Sequence, residues 1–230
     1  LAADTKLSVQ VHPNDGYAMA HEHKLGKTEA WVILEAKAGA QLCYGLREGV
    51  TREALASALT AGGDVGKLLE TVSVSAGDVL YMPGGMVHAI GGGVTLYEIQ
   101  QSSDVTYRLW DYDRTDEKGG KRPLHIQQAL DVIDPALRGL RTRLPDAGNA
   151  GLHPVLAVPA FTLACLCAAG EQPLPPRADS FRIFTALNPL ALRWQGGRLS
   201  LAAGETALIP ARCPQLTVEG DGRALIADTP

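Results

Sequence analysis

Short runs of alternating hydrophobic and polar residues recur along this chain, separated by turns rich in glycine and proline. Successive side chains of a strand point to opposite faces, so this alternation predicts half-buried β-strands. The first run has its hydrophobic residues on one face and its polar residues on the other: Leu7, Val9 and Val11 against Ser8, Gln10 and His12. Pro13 ends this strand because proline cannot donate to a strand ladder.

The same reasoning applied along the chain predicts further elements. The predicted strands of the first half are 1–13, 29–35, 39–45, 70–75, 78–82, 86–91, 94–100 and 104–110. The 29–35 and 39–45 strands are expected to form a hairpin around Lys37–Gly39. Helical segments are predicted within 14–26, capped by Asn14 or Asp15, at 51–59, capped by Thr51 and ended by Gly62 and Gly63, at 65–69, and at 126–133.

The last third of the chain repeats the β pattern without any cluster of reactive residues. Residues 136–153 have mixed charge, glycine and proline, and are predicted to be a linker. The strands predicted beyond it are 155–158, 161–167, 182–187, 191–194, 199–201, 206–209, 215–218 and 223–227. We therefore predict a first β domain at 1–125, a helix and linker at 126–153, and a small C-terminal β domain at 154–230 that serves as a scaffold or an interface. Many short strands with such turns indicate a sandwich or a barrel.

Composition and charge narrow the function classes. The 230 residues are 46% hydrophobic and 20% charged, as in ordinary globular proteins, and allow one or two domains. The formal net charge of −4 argues against general nucleic-acid binding, but it permits a small anionic ligand held by local cations. No apolar run reaches the roughly 18 residues needed to span a membrane. The oligomeric state, monomer or dimer, is left open.

The four cysteines show no CxxC pair, which indicates reduced thiols in a cytoplasmic protein. Alternation places Cys165 and Cys167 on one face of an apolar strand. There they could be buried small residues or a pair of zinc ligands. No targeting segment is visible at the start. The opening residues Leu1–Thr5 lack a methionine and lead almost at once into a strand, so we expect an N-terminal part to be missing.

Three separated segments carry candidate metal ligands. Glu29 shares a strand face with Lys27 and Trp31, and His88 follows a glycine-rich turn. The four candidate ligands are Gln10, His12, Glu29 and His88. Two imidazoles, a carboxylate and an amide oxygen suit a borderline divalent ion such as Zn²⁺. Burial of three such groups without an ion would be costly.

Two further histidines, His21 and His23, are two residues apart in polar surroundings. That spacing does not place both on one face of a helix. We expect them to be solvated loop residues.

The run from Gly77 to His88, with Pro83 and Gly85 between, resembles the second motif of the cupins and implies a cupin jelly-roll barrel. More narrowly, four segments resemble type I mannose-6-phosphate isomerase (phosphomannose isomerase), in its short bacterial form: Ser8–Pro13, Lys27–Glu29, Pro83–Ala89 and Tyr107–Arg108. The resemblance covers about residues 3–115, and over 150–230 it is one of general architecture.

This resemblance implies an enzyme with one Zn²⁺ per chain, held by the four ligands above, that interconverts mannose 6-phosphate and fructose 6-phosphate. Family members carry more chain before the Ser8 strand, which again implies a missing N-terminal part. Glu98 matches the family's proposed acid/base glutamate, and Arg108, ten positions later, matches its essential arginine. Ser8 matches a serine on the phosphate side.

The sequence leaves open the roles of the charged residues around the ligands. Lys27 and Arg108 are local cations for an anionic substrate, and a guanidinium can grip phosphate with two parallel hydrogen bonds. Lys27 could instead be a solvated lysine at the rim of the site. Glu98 could form an ordinary ion pair with Arg108, which Asp104 could also orient.

Two other functions fit part of the pattern. Two histidines and one carboxylate also form the facial triad of Fe(II) oxygenases. A cupin that binds sugar without catalysis is the other alternative. Gln10 beside His12 and the local cations favour the isomerase. A fused guanylyltransferase domain is not expected, because no suitable glycine-rich nucleotide loop is present.

Overall fold

The computed structural model describes residues 1–61, 63–115 and 118–230. The chain divides into two compact units, Leu1–Thr142 and Arg143–Pro230. Gly62, one of the two glycines predicted to end a helix, lies outside the described residues.

The first unit is built from two five-stranded sheets. The first sheet has the order β1 (Ala2–Ala3), β8 (Val94–Gln100), β3 (Glu29–Ala36), β6 (Asp78–Met82) and β10 (Leu140–Arg143). The second sheet has the order β5 (Leu69–Ser73), β4 (Gln41–Leu46), β7 (His88–Ala89), β2 (Val9–Val11) and β9 (Tyr107–Trp110). The ladders given for these sheets are antiparallel. The predicted all-β jelly roll is confirmed.

Within the described residues of this unit, three short helices and one 3₁₀ turn accompany the sheets. They are α1 (Asp15–Glu22), α2 (Arg52–Thr60), the 3₁₀ turn Val65–Leu68 and α3 (Ile126–Val132). The predicted caps are present: Asn14 accepts a hydrogen bond from the backbone N–H of Tyr17, and Thr51 accepts one from Ala54. Each cap satisfies a backbone donor that the first helical turn leaves unpaired.

Strand alternation separates two hydrophobic clusters. Trp31 and Ile33 of β3 pack in one cluster with Leu42 and Tyr44 of β4, so the two sheets face each other across this core. Cys43, between Leu42 and Tyr44, points to the opposite face of the second sheet. There it joins a second cluster with Val9 and Val11 of β2 and with residues of α2 and α3. The helices therefore cover the outer face of the second sheet.

The predicted hairpin between residues 29–35 and 39–45 is wrong, although both strands exist. β3 pairs with β8 and β6, whereas β4 pairs with β5 and β7. The inward side chains of both strands fill the same core, which places β3 and β4 opposite each other rather than side by side. The turn at Lys37–Gly39 therefore carries the chain from one sheet to the other.

Other boundaries also differ from the prediction. The single strand expected at 1–13 is two short strands, β1 and β2, in different sheets, and the strand expected at 86–91 is reduced to β7. The segment predicted to be a linker contains β10.

The second unit has two sheets of its own. One has the order β11 (Gly151–Val158), β12 (Phe161–Ala168), β19 (Gly222–Asp228), β14 (Arg182–Ala186) and β17 (Thr206–Ile209). The other has the order β13 (Glu171–Leu174), β18 (Leu216–Glu219), β15 (Leu190–Trp194) and β16 (Gly197–Leu201). Pattern analysis missed β13, which contains Pro173 and lies at a sheet edge, where proline is tolerated.

The four cysteines are free, and Cys165 and Cys167 are buried. His153, the one histidine of the second unit, faces the backbone carbonyl of Asn149 through its ring Nε2. Over the described parts of the chain, none of the helices has the length and apolar character needed to cross a membrane.

Candidate metal centre

The four candidate ligands lie at one end of the core, three of them on strands and His12 directly after one. Gln10 of β2 is paired in register with His88 of β7, so their side chains lie next to each other on the same face of the second sheet. Glu29 begins β3 in the first sheet, opposite them. His12 follows β2, and its ring centroid is 4.9 Å from that of His88.

The glycines of the turn motifs bring these segments together around the backbone of Pro13 and Asn14. A Cβ on Gly84 would lie 2.9 Å from the carbonyl oxygen of Pro13, and a Cβ on Gly26 would lie 2.5 Å from the carbonyl carbon of Asn14. Backbone hydrogen bonds fix the contact: Lys27 donates to Pro13, and Gly85 donates to His12. The strand that carries Glu29 and the turn that leads to His88 are therefore held against His12.

A Gly84→Ala substitution is expected to destabilise the protein by about 1–3 kcal/mol, because the new methyl group forces the backbone of Pro13 and Asn14 to shift. The same shift should lower metal retention. Thermal denaturation and metal analysis after dialysis test this. Gly148→Ala is the matched control, because a Cβ at Gly148 meets no atom within 4 Å. An unchanged melting temperature for Gly84→Ala would contradict the packing argument.

Backbone carbonyls set the tautomers of the two histidines. His12 Nδ1 lies 2.9 Å from the carbonyl oxygen of Val105, and His88 Nδ1 lies 2.9 Å from that of Met86. A carbonyl oxygen can only accept, so each Nδ1 carries the hydrogen, and each neutral ring presents a lone pair at Nε2. This is the orientation that metal-ligating histidines adopt.

Both Nε2 atoms point at Glu29. His12 Nε2 is 3.4 Å from Oε2, and His88 Nε2 is 3.2 Å from Oε1. Glu29 is fully buried; among the described residues neither of its oxygens accepts a well-aligned hydrogen bond, and Oε2 has an ion-pair contact with Lys27 Nζ at 2.7 Å. Lone pairs of nitrogen and oxygen that face each other in a dry site repel unless a cation lies between them. His12, Glu29 and His88 offer ligand atoms within 4.8 Å of one another and could hold a metal ion.

The protonation states also suit a cation. Burial lowers the pKa of His12 to about 4, against the opposing effect of Glu29, so this imidazole is neutral at neutral pH. Burial alone would raise the pKa of Glu29, but the neighbouring His88 and His12 lower it well below its ordinary value. A neutral imidazole and an ionised carboxylate are the forms that bind metal.

Gln10 lies beside this group. Its amide nitrogen is 3.5 Å from His88 Nε2. A half-turn of the amide about its terminal bond exchanges nitrogen and oxygen, so Gln10 can present its oxygen at the same point.

Lys27 and Glu98 form a second charged pair next to the ligands. Lys27 Nζ lies 2.7 Å from Glu29 Oε2 and 3.3 Å from Glu98 Oε1. Lys27 is buried, so it is not a solvated residue at the rim of the site. Glu98 pairs with Lys27 and not with Arg108, the partner that the sequence offered as an alternative.

The indole of Trp31, which sequence reasoning placed on this face without a role, donates a hydrogen bond from Nε1 to Glu98 Oε2 at 3.3 Å. The alternation that identified Glu29 also marked Trp31, two residues later. The sequence could not identify Glu98 as the acceptor of the Trp31 N–H, because that contact depends on the pairing of β3 with β8.

Arg108 of β9 is paired in register with Gln10 and so lies on the same face of the second sheet. One of its terminal nitrogens donates to the carbonyl of Pro123, while its buried Nε finds no hydrogen-bond partner among the residues that the structure describes. Ser8 is buried directly before β2.

Asp104 does not orient Arg108. It is exposed and forms an ion pair with Lys24. His21 stacks on Tyr17 at the exposed end of α1, and His23 ends that helix with a φ of 55°. The structure therefore agrees with the expectation that these two histidines are solvated.

Comparison with known proteins gives the family of this chain. No family model matches the chain. The Bacillus subtilis protein GmuF, named a probable mannose-6-phosphate isomerase, is 34% identical over 231 residues, covering 99% of this chain and 72% of GmuF. The chain belongs to the mannose-6-phosphate isomerase family.

The mannose-6-phosphate isomerase of Streptococcus mutans is 50% identical over 133 residues, which are 58% of this chain and 42% of that protein. The mannose-6-phosphate isomerase of Bacillus subtilis named ManA is 48% identical over 135 residues, again 42% of its length. The chain thus matches less than half the length of these two relatives. The likeness to GmuF extends through both compact units.

A solved structure of a mannose 6-phosphate isomerase from Bacillus subtilis has a TM-score of 0.87 against this chain at 28% identity, and it covers 97% of this chain and 72% of that one. A phosphomannose isomerase from Salmonella typhimurium has a TM-score of 0.75 at 17% identity, covering the whole of this chain and 77% of that one. The second likeness concerns the fold alone.

Proposed function

We propose that this chain interconverts mannose 6-phosphate and fructose 6-phosphate at a Zn²⁺ site formed by Gln10, His12, Glu29 and His88. The observation that carries this proposal is the buried Glu29 carboxylate, whose two oxygens each face an imidazole nitrogen and, among the described residues, are partnered only by the ion pair of Oε2 with Lys27. The ligand set of nitrogen and oxygen donors suits zinc. The family name of the relatives supplies the substrate.

The reaction moves one proton between adjacent carbons. A base removes the proton from C2 of the aldose, which leaves an enediolate across C1 and C2. The proton is then returned to C1, while a hydroxyl proton moves from the C2 oxygen to the C1 oxygen. A bound divalent cation would offset the negative charge that develops on these oxygens.

Glu98 is the proposed base, because its carboxylate faces the ligand end of the core and is 18% exposed, which leaves it open to a substrate. Lys27 contributes positive charge between Glu29 and Glu98, where the enediolate would gain negative charge. We assign Arg108, Ser8 and Lys27 to binding of the anionic substrate.

We further propose that the domain that carries catalysis spans residues 1–125, with 126–153 as helix and linker and 154–230 as a small β domain, because all of the assigned residues lie in the first stretch. The four free thiols support a cytoplasmic protein. A small sugar phosphate is the proposed partner.

An Arg108→Lys variant is expected to keep its metal but to lose about 10- to 100-fold in kcat/KM, because an ammonium keeps the charge without the planar fork of the guanidinium. Steady-state kinetics with metal analysis test this. Arg138→Lys is the matched control, since Arg138 is exposed and donates only to carbonyls of its own segment. Unchanged kinetics of Arg108→Lys would remove Arg108 from the mechanism.

The function itself is tested by metal analysis of the purified protein together with a coupled assay from mannose 6-phosphate to fructose 6-phosphate. We expect close to one zinc per chain and turnover that a chelator abolishes. The two histidines and one glutamate also form the facial triad of iron enzymes. Oxygen uptake with added Fe(II), without isomerase turnover, would therefore favour an oxygenase. Binding of the sugar phosphate without either reaction would favour a sugar-binding cupin.

A further inference from the structure

Trp31 is fully buried in the core between the two sheets of the first unit. A buried indole N–H needs an acceptor, and any neutral amide or backbone carbonyl would serve. Here the acceptor is a carboxylate oxygen, Glu98 Oε2. Trp31 and Glu98 are paired in register between β3 and β8, so the contact is fixed by the sheet itself.

Glu98 is held from two directions by Lys27, which lies just before β3, and by Trp31 of β3. Lys27 Nζ donates to one carboxylate oxygen and Trp31 Nε1 to the other, each at 3.3 Å. These two donors flank Glu29 in the sequence, at positions 27 and 31. Two donors on different oxygens restrict rotation of the carboxylate, whereas one would leave it free to turn about the first hydrogen bond.

Trp31 also contacts the metal-ligand group. Its ring meets the ring of His88 edge to face, with centroids 5.4 Å apart and planes at 79°. A phenyl ring would keep the aromatic contact while removing the N–H donor. Substitution by phenylalanine therefore separates the effect on Glu98 from the effect on His88.

We propose that Trp31 is a positioning residue for the isomerase reaction: its indole N–H holds the Glu98 carboxylate in the orientation needed for proton transfer. This inference rests on the proposed function. It predicts that the N–H matters for turnover more than for substrate binding or folding.

In a Trp31→Phe variant we expect kcat to fall by about tenfold or more, with KM within about twofold of the parent, because a hydrogen bond to a charged group is lost. Metal content should stay close to that of the parent, and the melting temperature should fall by a few degrees, because the smaller ring leaves a cavity in the core. Trp194→Phe is the matched control, because Trp194 lies in the second unit and is partly exposed. With rates measured well below the melting temperature, an unchanged kcat, or a loss of kcat in proportion to lost metal, would overturn the positioning role.

A second measurement does not depend on turnover. The sequence has three tryptophans, so the indole N–H signals in a ¹H–¹⁵N NMR spectrum are few, and Trp→Phe variants assign them. In a Glu98→Gln variant the Trp31 signal should move upfield, because an amide oxygen accepts more weakly than a carboxylate. The Trp194 signal should stay in place. A stationary Trp31 signal would overturn the inference, whereas absence of turnover in the parent would overturn the proposed function.

Discussion

A Glu29→Gln variant is expected to lose its bound metal and, with it, all measurable isomerase activity. The substitution keeps the shape of the side chain but replaces the ionised group that both imidazoles face. Loss of even an indirect contact to a metal site commonly weakens affinity by about 10- to 100-fold, so loss of the one charged ligand should exceed that range.

Metal analysis after dialysis against a competing chelator measures this effect. Glu35→Gln is the matched control, because Glu35 lies on the same strand, β3, and is exposed. The control should keep both metal and activity. A Glu29→Gln protein that retains one metal per chain would show that the ion is held elsewhere, and the proposed site would then be rejected.

A Glu98→Gln variant is expected to keep its metal and lose about 10²- to 10⁴-fold in kcat, the usual range for removal of a general acid or base. Glutamine keeps the size of the side chain and one acceptor oxygen, but it cannot take up a proton at neutral pH. Lys27 would keep its contact with Glu29, 2.7 Å away, so the ligand group should remain intact.

Single-turnover and steady-state rates with matched metal content check this result. Glu48→Gln, at an exposed position of the same unit, should behave as the parent. If Glu98→Gln turned over at the parental rate, the base would have to be another group. Loss of activity in step with loss of metal would instead place Glu98 in support of the ligands.

Much of the fold and of the candidate ligand set could be predicted from alternation and turn residues. The face shared by Ser8, Gln10 and His12 was visible in the sequence, as was the histidine after the glycine-rich turn. These features depend on local backbone geometry, which neighbouring residues determine.

The parts that could not be predicted depend on contacts between distant segments. The pairing of β3 with β8 instead of β4 follows from how the two sheets close over a common core, and no local pattern encodes that choice. The carbonyls of Val105 and Met86, which set the histidine tautomers, are backbone atoms and leave no trace in residue type. The partners of Glu98, which are the side chains of Lys27 and Trp31, could not be identified in advance because their contact with Glu98 depends on the pairing of β3 with β8.

The packing of two glycine turns against Pro13 and Asn14 has a consequence for how the site assembles when the protein folds. The backbone at Gly26 and at Gly84 packs against the backbone of Pro13 and Asn14 so closely that neither glycine position has room for a methyl group. Partial opening of any one of these segments would release the others, so the ligands assemble or disperse as a cooperative unit. A partly folded chain would therefore lack the assembled ligands and would not bind a metal ion at this site.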